Sequence, residues 1–263
     1  MGNEHVIVNL KGSVLSLQMN RPESLNAFSP EMIEQLTAEI IGAGENPDVG
    51  SVILSGAGRS FSAGGDVKTM GKVGPSQTYD HIGKLNKLIL AMQELEKPII
   101  AAVHGFAAGA AFNLALACDI ILAAEDSKLV MSFSQVGLIS DGGGLYFLPR
   151  LIGPYRAKEL FFSGKPISAN QAHEWGIINH LYPLEKLENE AFKYAEELAN
   201  GPAQAYGFIK KITDQSSMSS LSEILEQERI TQAMMVTTDD HLEGITAFKE
   251  KRKPIFKRKQ AVL

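Results

Sequence analysis

Ser132-Phe133-Ser134-Gln135-Val136-Gly137-Leu138-Ile139-Ser140-Asp141-Gly142-Gly143-Gly144-Leu145-Tyr146-Phe147-Leu148-Pro149-Arg150 sets one carboxylate, Asp141, between apolar residues and a run of three glycines. Val136, Leu138 and Ile139 precede it, and Leu145 to Leu148 follow. A carboxylate among apolar neighbours loses hydration, which raises its pKa and strengthens it as a base. The glycines let a backbone or a substrate come close. A plainer role also fits, with Ser140 or Asp141 capping a helix that begins near Gly142. Read alone, the stretch suits proton transfer and capping equally well. The flanking sequence has to separate them.

Working outward, the 263 residues suit one large domain, or a main domain with an appendage. A net charge of -5 argues against a nucleic-acid partner or a membrane surface. The single cysteine, Cys118, excludes an intrachain disulfide framework and fits a reducing cytoplasm. It lies in the apolar run Leu114 to Leu122, as a buried inert thiol would. The N-terminus lacks the uninterrupted apolar core of a signal peptide. Ile99 to Ala111, the longest run of small apolar residues, is broken by His104 and Gly105 and is too short to span a bilayer. The histidines show no metal-ligand spacing, so no metal is expected. These features predict a soluble cytoplasmic protein.

Val6–Leu10 and Val14–Met19 read as a hairpin around Lys11-Gly12-Ser13. Ser29-Pro30 reads as an N-cap with proline in the first helical turn, followed by Met32, Ile33, Leu36, Ile40 and Ile41 on one face. Further strands are predicted at Ser51–Ser55, Ile99–Val103 and Ile120–Ala124, with helices over Tyr79–Leu95, Ala107–Cys118 and Tyr155–Ser163. Ser168 begins another helix, stopped at Gly176, and from about Leu187 the chain is almost wholly helical, ending with a charged helix over Asp240–Lys253. Strands alternating with helices predict an α/β architecture.

Two more stretches carry chemistry. Phe61-Ser62-Ala63-Gly64-Gly65-Asp66-Val67 follows a strand and opens a helix, leaving backbone N–H groups free for negative charge. By itself, a glycine turn capped by Asp66 is the simpler reading. His104-Gly105-Phe106-Ala107-Ala108-Gly109-Ala110-Ala111-Phe112 is a second junction of small residues, for which tight helix packing is the simpler reading.

Taken together, these stretches make the chain resemble the crotonase, or enoyl-CoA hydratase/isomerase, superfamily over nearly its whole length. Asn20-Arg21-Pro22 through Asn26-Ala27, Cys118-Asp119-Ile120 and Gly244–Phe248 through Lys251-Arg252 extend the match. The resemblance implies a spiral of ββα turns over 1–195 with the active site, and a helical oligomerisation region over 196–263 that builds trimers or hexamers. It implies an acyl-CoA thioester substrate, so that coenzyme A enters with the substrate and no separate cofactor is needed. The N–H groups of Gly65 and Ala110 then form an oxyanion hole. Ser24, Leu25, Ala63 and Asp66 lie near coenzyme A, with Phe248 and Lys251 reaching in from the tail; Asn113 either bonds within the pocket or serves the structure, and Phe133 either lines the acyl pocket or fills core.

Family hydratases carry two glutamates, at the positions of Asn113 and Phe133. Neither residue is a general base, and hydration must position water and move protons. What remains is Asp141, like the single carboxylate of Δ3,Δ2-enoyl-CoA isomerases and ring-1,2-epoxyphenylacetyl-CoA isomerases. The resemblance is strongest to the latter, although Ser140 stands where proline is usual. The expected activity is therefore double-bond migration through an enolate, with Asp141 shuttling the proton. Acyl-CoA decarboxylation, hydration by family label, or an inactive acyl-CoA-binding member are the alternatives.

Overall fold

The wholly apolar runs Ile99–Val103 and Ile120–Ala124 are what a parallel strand covered on both faces requires. They lie side by side at the centre of a computed structural model that describes residues 4–66 and 74–256. The chain begins β1 (Val6–Lys11), β2 (Val14–Met19), α1 (Pro30–Glu45), β3 (Ser51–Gly56), α2 (Pro75–Glu94), β4 (Ile99–Val103) and β5 (Phe106–Ala108). It continues α3 (Ala110–Leu116), β6 (Ile120–Ala124), β7 (Lys128–Val130), α4 (Gly144–Ser163), β8 (Ile167–Ser168) and α5 (Ala169–Glu174). It ends β9 (His180–Tyr182), α6 (Leu184–Ala199), α7 (Ala203–Ser216), α8 (Leu221–Met235) and α9 (Asp239–Glu250). A short 3₁₀ turn, Ser132–Val136, precedes α4.

A large sheet runs β1-β2-β3-β4-β6-β9, antiparallel at the β1–β2 hairpin and parallel elsewhere. A small sheet runs β5-β7-β8. A parallel bridge from Ser62 to Ala107 adds the preceding turn of chain to its edge. The fold is thus a spiral in which a large-sheet strand turns a corner into a small-sheet segment: β3 into Ser62, β4 into β5, β6 into β7. One face of the large sheet packs Leu15, Leu17, Met19, Val52 and Leu54 against α1, α2 and α3. The other packs Ile53, Ile100 and Leu122 beneath α6. Each such side chain, fully buried, contributes about 1.5–3 kcal/mol.

Several expected boundaries shift. The Ala107–Cys118 helix splits, because residues 106–108 pair with β7 as β5 and only Ala110–Leu116 is helical. Backbone pairing overrides the helix preference of alanine. The helix expected from Tyr155 lies within α4, which starts at Gly144 and is interrupted at Gly153 (φ 78°, ψ 158°). Residue 195, where a division is expected, falls inside α6, whose Ala195 and Ala199 belong to the sheet core; α7 follows after Gly201-Pro202. Beyond it, Lys210 pins α7 to the core through Asp119 Oδ2 (3.0 Å) and Met92 O (2.9 Å).

Between β2 and α1, Leu25 and Asn26 both have positive φ (53° and 55°), and asparagine tolerates that region better than most residues. The buried Asn26 amide donates to Ala57 O, Ser60 O and Phe61 O, while its Oδ1 accepts from Arg21 N. Asn26→Ala leaves those carbonyls without their donor, at about 1–3 kcal/mol for each that stays buried and unpaired, and calorimetry should show Tm lower by at least about 3 °C.

Candidate active site

Three chain segments leave the small sheet in parallel, and each leads to a predicted site residue. Ser62 leads to Gly65, β5 leads to Ala110, and β7 leads to Phe133 and on to Asp141. The first two are laced together: Ser62 N donates to Phe106 O (3.0 Å) and Ala108 N to Ser62 O (3.1 Å). Gly64 (φ 78°) lies so close that a side chain there would run into Ala108 O and stand 3.1 Å from Ala110 N. The 63–65 loop and the Ala110 amide are therefore neighbours. No acceptor for the Gly65 or Ala110 N–H is found among the described residues. Ala110 is the first residue of α3, where the first N–H groups have no intrahelical partner. The helix expected to open after Asp66 falls on residues 67–73, outside those described.

Leu25 and Ala63 sit together, with Ala63 N donating to Leu25 O (2.8 Å). Ser24 is beside them, but its hydroxyl donates to Arg21 O (3.1 Å) and closes the local turn. Asp66 lies 3.7 Å from the Arg21 guanidinium, and Arg21 also donates to Ala27 O (2.6 Å). Leu25 opens onto a cavity of about 370 Å³ shared with Arg59, Ser60, Phe106, Asp126 and Lys128. Arg59 and Lys128 escaped the sequence reading, since no local pattern marks two cations 69 residues apart.

Asp141 lies between the 3₁₀ turn and α4. Burial pushes its carboxyl up to about 6, against a smaller opposing effect from its own backbone N–H. Its Oδ1 is buried without a hydrogen-bond partner. The cause of this burial differs from expectation. Val136, Leu138 and Ile139 are 53, 50 and 80% exposed, so much of their apolar surface faces away from the core. The turn around Asp141 packs on α2 and α3: Leu85 lies against Gly142, and Asn113 against both Gly142 and Gly144. The capping role is also excluded. Gly143 occupies the N-cap of α4 with no side-chain hydrogen bond, and Ser140 Oγ accepts from Asn113 Nδ2 (2.9 Å).

Asn113 is not positioned as a substrate contact. Its side chain is wholly buried and spends both N–H donors within the protein, on Ser140 Oγ and on Asp141 O (2.7 Å). Phe133 packs its ring edge beside Gly109, next to the Ala110 amide. Within one chain, Phe248 and Lys251 do not join this group. Phe248, 85% exposed, lines a separate groove between α7, α8 and α9, and Lys251 ends α9. Among the described residues no cluster of three or more metal-ligating side chains occurs, and no helix is long and apolar enough to cross a membrane.

This geometry agrees with what the chain is similar to. Residues 9–259 match the enoyl-CoA hydratase/isomerase family. The chain belongs to that family. A 1,2-epoxyphenylacetyl-CoA isomerase of Escherichia coli is 39% identical, covering 96% of this chain and 98% of the relative. A trans-2-decenoyl-[acyl-carrier-protein] isomerase of Streptococcus mutans is 33% identical, covering 97% and 99%. The crystal structure of an enoyl-CoA hydratase from Polaromonas sp. JS666 superposes with a TM-score of 0.93 at 34% identity, over 96% of this chain and 99% of that one. The family's spiral fold is the one found here.

The raised pKa of Asp141 has a stability consequence. A carboxyl whose pKa is higher folded than unfolded destabilises the native state once it must ionise. The penalty is absent below about pH 4, develops between about pH 4 and 6, and is constant above. A shift from 3.8 to about 6 corresponds to about 3 kcal/mol. Asp141→Asn is therefore expected to unfold at higher denaturant than wild type at pH 8, with the difference gone at pH 4.

Proposed function

We propose that this protein is an acyl-CoA isomerase that moves a double bond through an enolate, with Asp141 as its single proton shuttle. The observation that carries the reading is the lone, half-buried Asp141 carboxyl, poised near neutral pH on the turn held by α3. The two hydratase glutamate positions hold Asn113 and Phe133, neither of which ionises as a base. In a β,γ-unsaturated thioester, Asp141 takes the proton from Cα. The electron pair moves onto the carbonyl oxygen, forming a dienolate between the Gly65 and Ala110 N–H groups. The proton then returns from Asp141 to Cγ. Each N–H donor is worth about 2.7–4 kcal/mol to the enolate, by analogy with other oxyanion holes.

The Leu25 cavity, with Arg59 and Lys128, suits the anionic end of coenzyme A. Phe248 and Lys251 reach that cavity from a second copy in this reading, so the working form is a trimer or a pair of trimers. The exposed Leu221, Leu225, Leu242 and Phe248 on the C-terminal helices support such an assembly. Sedimentation equilibrium giving a monomer would remove that part of the proposal.

A panel of acyl-CoA esters tests the chemistry. Wild type should convert β,γ- to α,β-enoyl-CoA, with kcat/KM rising as pH passes through about 6 and Asp141 ionises. Asp141→Asn should lose at least about 100-fold in kcat while still binding the ester. Release of CO₂ from a carboxyacyl-CoA, or brisk hydration of crotonyl-CoA, would instead identify a decarboxylase or a hydratase. Folded Gly65→Pro, which lacks one N–H donor, should be severely impaired, whereas Ala110→Gly keeps its donor and should be mildly affected.

A further inference from the structure

Helix α3 reads Ala110-Ala111-Phe112-Asn113-Leu114-Ala115-Leu116, and every residue in it is buried. Asn113 is its one polar side chain. Both Nδ2 hydrogens are used, on Ser140 Oγ and Asp141 O, while Oδ1 is buried with no partner. The orientation of the amide is fixed by chemistry, because a carbonyl such as Asp141 O can only accept. A buried acceptor left unpaired costs about 1–3 kcal/mol, a cost that leucine at this position would avoid. An amide kept in an otherwise apolar helix at that cost calls for an explanation beyond packing.

Its two bonds define one. They grip the chain at successive residues, the Ser140 side chain and the Asp141 carbonyl. Gly144 N donates to the same carbonyl from the other side (3.1 Å). The backbone around Asp141 is thereby held from both sides, leaving the carboxyl only its own side-chain torsions. The space is reserved as well: a side chain on Gly144 would collide with Asn113 Oδ1 and Ser140 Oγ, which accounts for the third glycine. Asn113 also lies one helical turn from Ala110, whose N–H opens the same helix. One rigid element thus fixes both the oxyanion donor and the residue that carries the base.

We infer that Asn113 and Ser140 form a clamp that aims the Asp141 carboxylate relative to the Ala110 N–H. They are positioning residues and touch no substrate. The inference rests on the isomerase reading for its kinetic effect, since misaiming a reacting group by about 1 Å can cost about 100-fold in rate.

The test uses Asn113→Leu, Ser140→Ala and the double variant. In each, kcat for a β,γ-enoyl-CoA should fall about 10- to 100-fold, with KM within about threefold of wild type. The double variant should lose little more than Asn113→Leu alone, because both changes open the same clamp. Asn113→Leu sheds the unpaired Oδ1 but also removes the donor to Ser140 Oγ, so it should unfold at a denaturant concentration close to that of wild type. A second readout needs no turnover: the ¹³C carboxyl resonance of Asp141, assigned by its absence in Asp141→Asn, should shift or broaden in both single variants. If wild type isomerises nothing, the isomerase reading fails, and the resonance alone decides the clamp. If Asn113→Leu does not fold, Ser140→Ala decides. An unchanged kcat and an unchanged resonance would overturn the inference. So would a loss of stability and a rise in KM that track the loss of kcat, since these mark support of the fold and nothing more.

Discussion

Backbone hydrogen bonds between the Ser62 segment, β5 and β7 are the constraint on which the site depends. Parallel pairing brings the 63–65 loop beside the Ala110 amide, and the Asn113 bond to Asp141 O ties the third segment to the same helix, although Gly65, Ala110 and Asp141 are tens of residues apart in sequence. Two of these segments supply backbone N–H groups, so side chains near them answer chiefly for room. The third supplies a side chain, and a side chain has to be aimed. In the proposed mechanism the two needs are met differently: close backbone packing at Gly64 for the donors, and a buried amide at Asn113 for the base.

The same division explains the electrostatics. Asp141 is poised near neutrality by loss of water, with no cation among the described residues stabilising its charge. A partner such as arginine would have held it ionised and weakened it as a base. Arg21, the cation beside the oxyanion loop, is committed to Ala27 O and lies near Asp66. The destabilised carboxylate is tolerated because β2, β3, β4 and β6 supply a core covered on both faces. Proteins commonly give up stability at such sites.

Uninterrupted apolar runs bounded by turn signals, and helices with a side-chain cap, are legible in the amino-acid sequence alone. Ile99–Val103 and Ile120–Ala124 are strands at the expected bounds, and Ser29 caps α1 by accepting from Met32 N. The small sheet is not legible there. Its strands have two or three residues, too few to show a period, and Phe106–Ala108 has a helix-like composition. Asp141 itself stands out, because a single carboxylate between apolar residues and glycines is conspicuous in one dimension. What buries it does not, since sequence neighbours Val136, Leu138 and Ile139 turn outward while Leu85 and Asn113 arrive from distant helices. Asn26 is visible as part of a family resemblance, yet its four hydrogen bonds appear only once the loop at Ala57–Phe61 has folded around it.

The outward turn of Val136, Leu138 and Ile139 separates two properties that an active site often ties together. The hydration of the base is set from behind, by α2 and α3, whereas the surface beside it is formed by a loop with little stake in the core. Exchanging those loop residues reshapes and re-wets the approach without touching the carboxyl's own surroundings. On the proposed mechanism, substitutions there would change the bulk beside the carboxyl one residue at a time without altering α2 or α3. Here that freedom belongs to the segment between the 3₁₀ turn and Ser140, whose apolar side chains are already displayed to solvent.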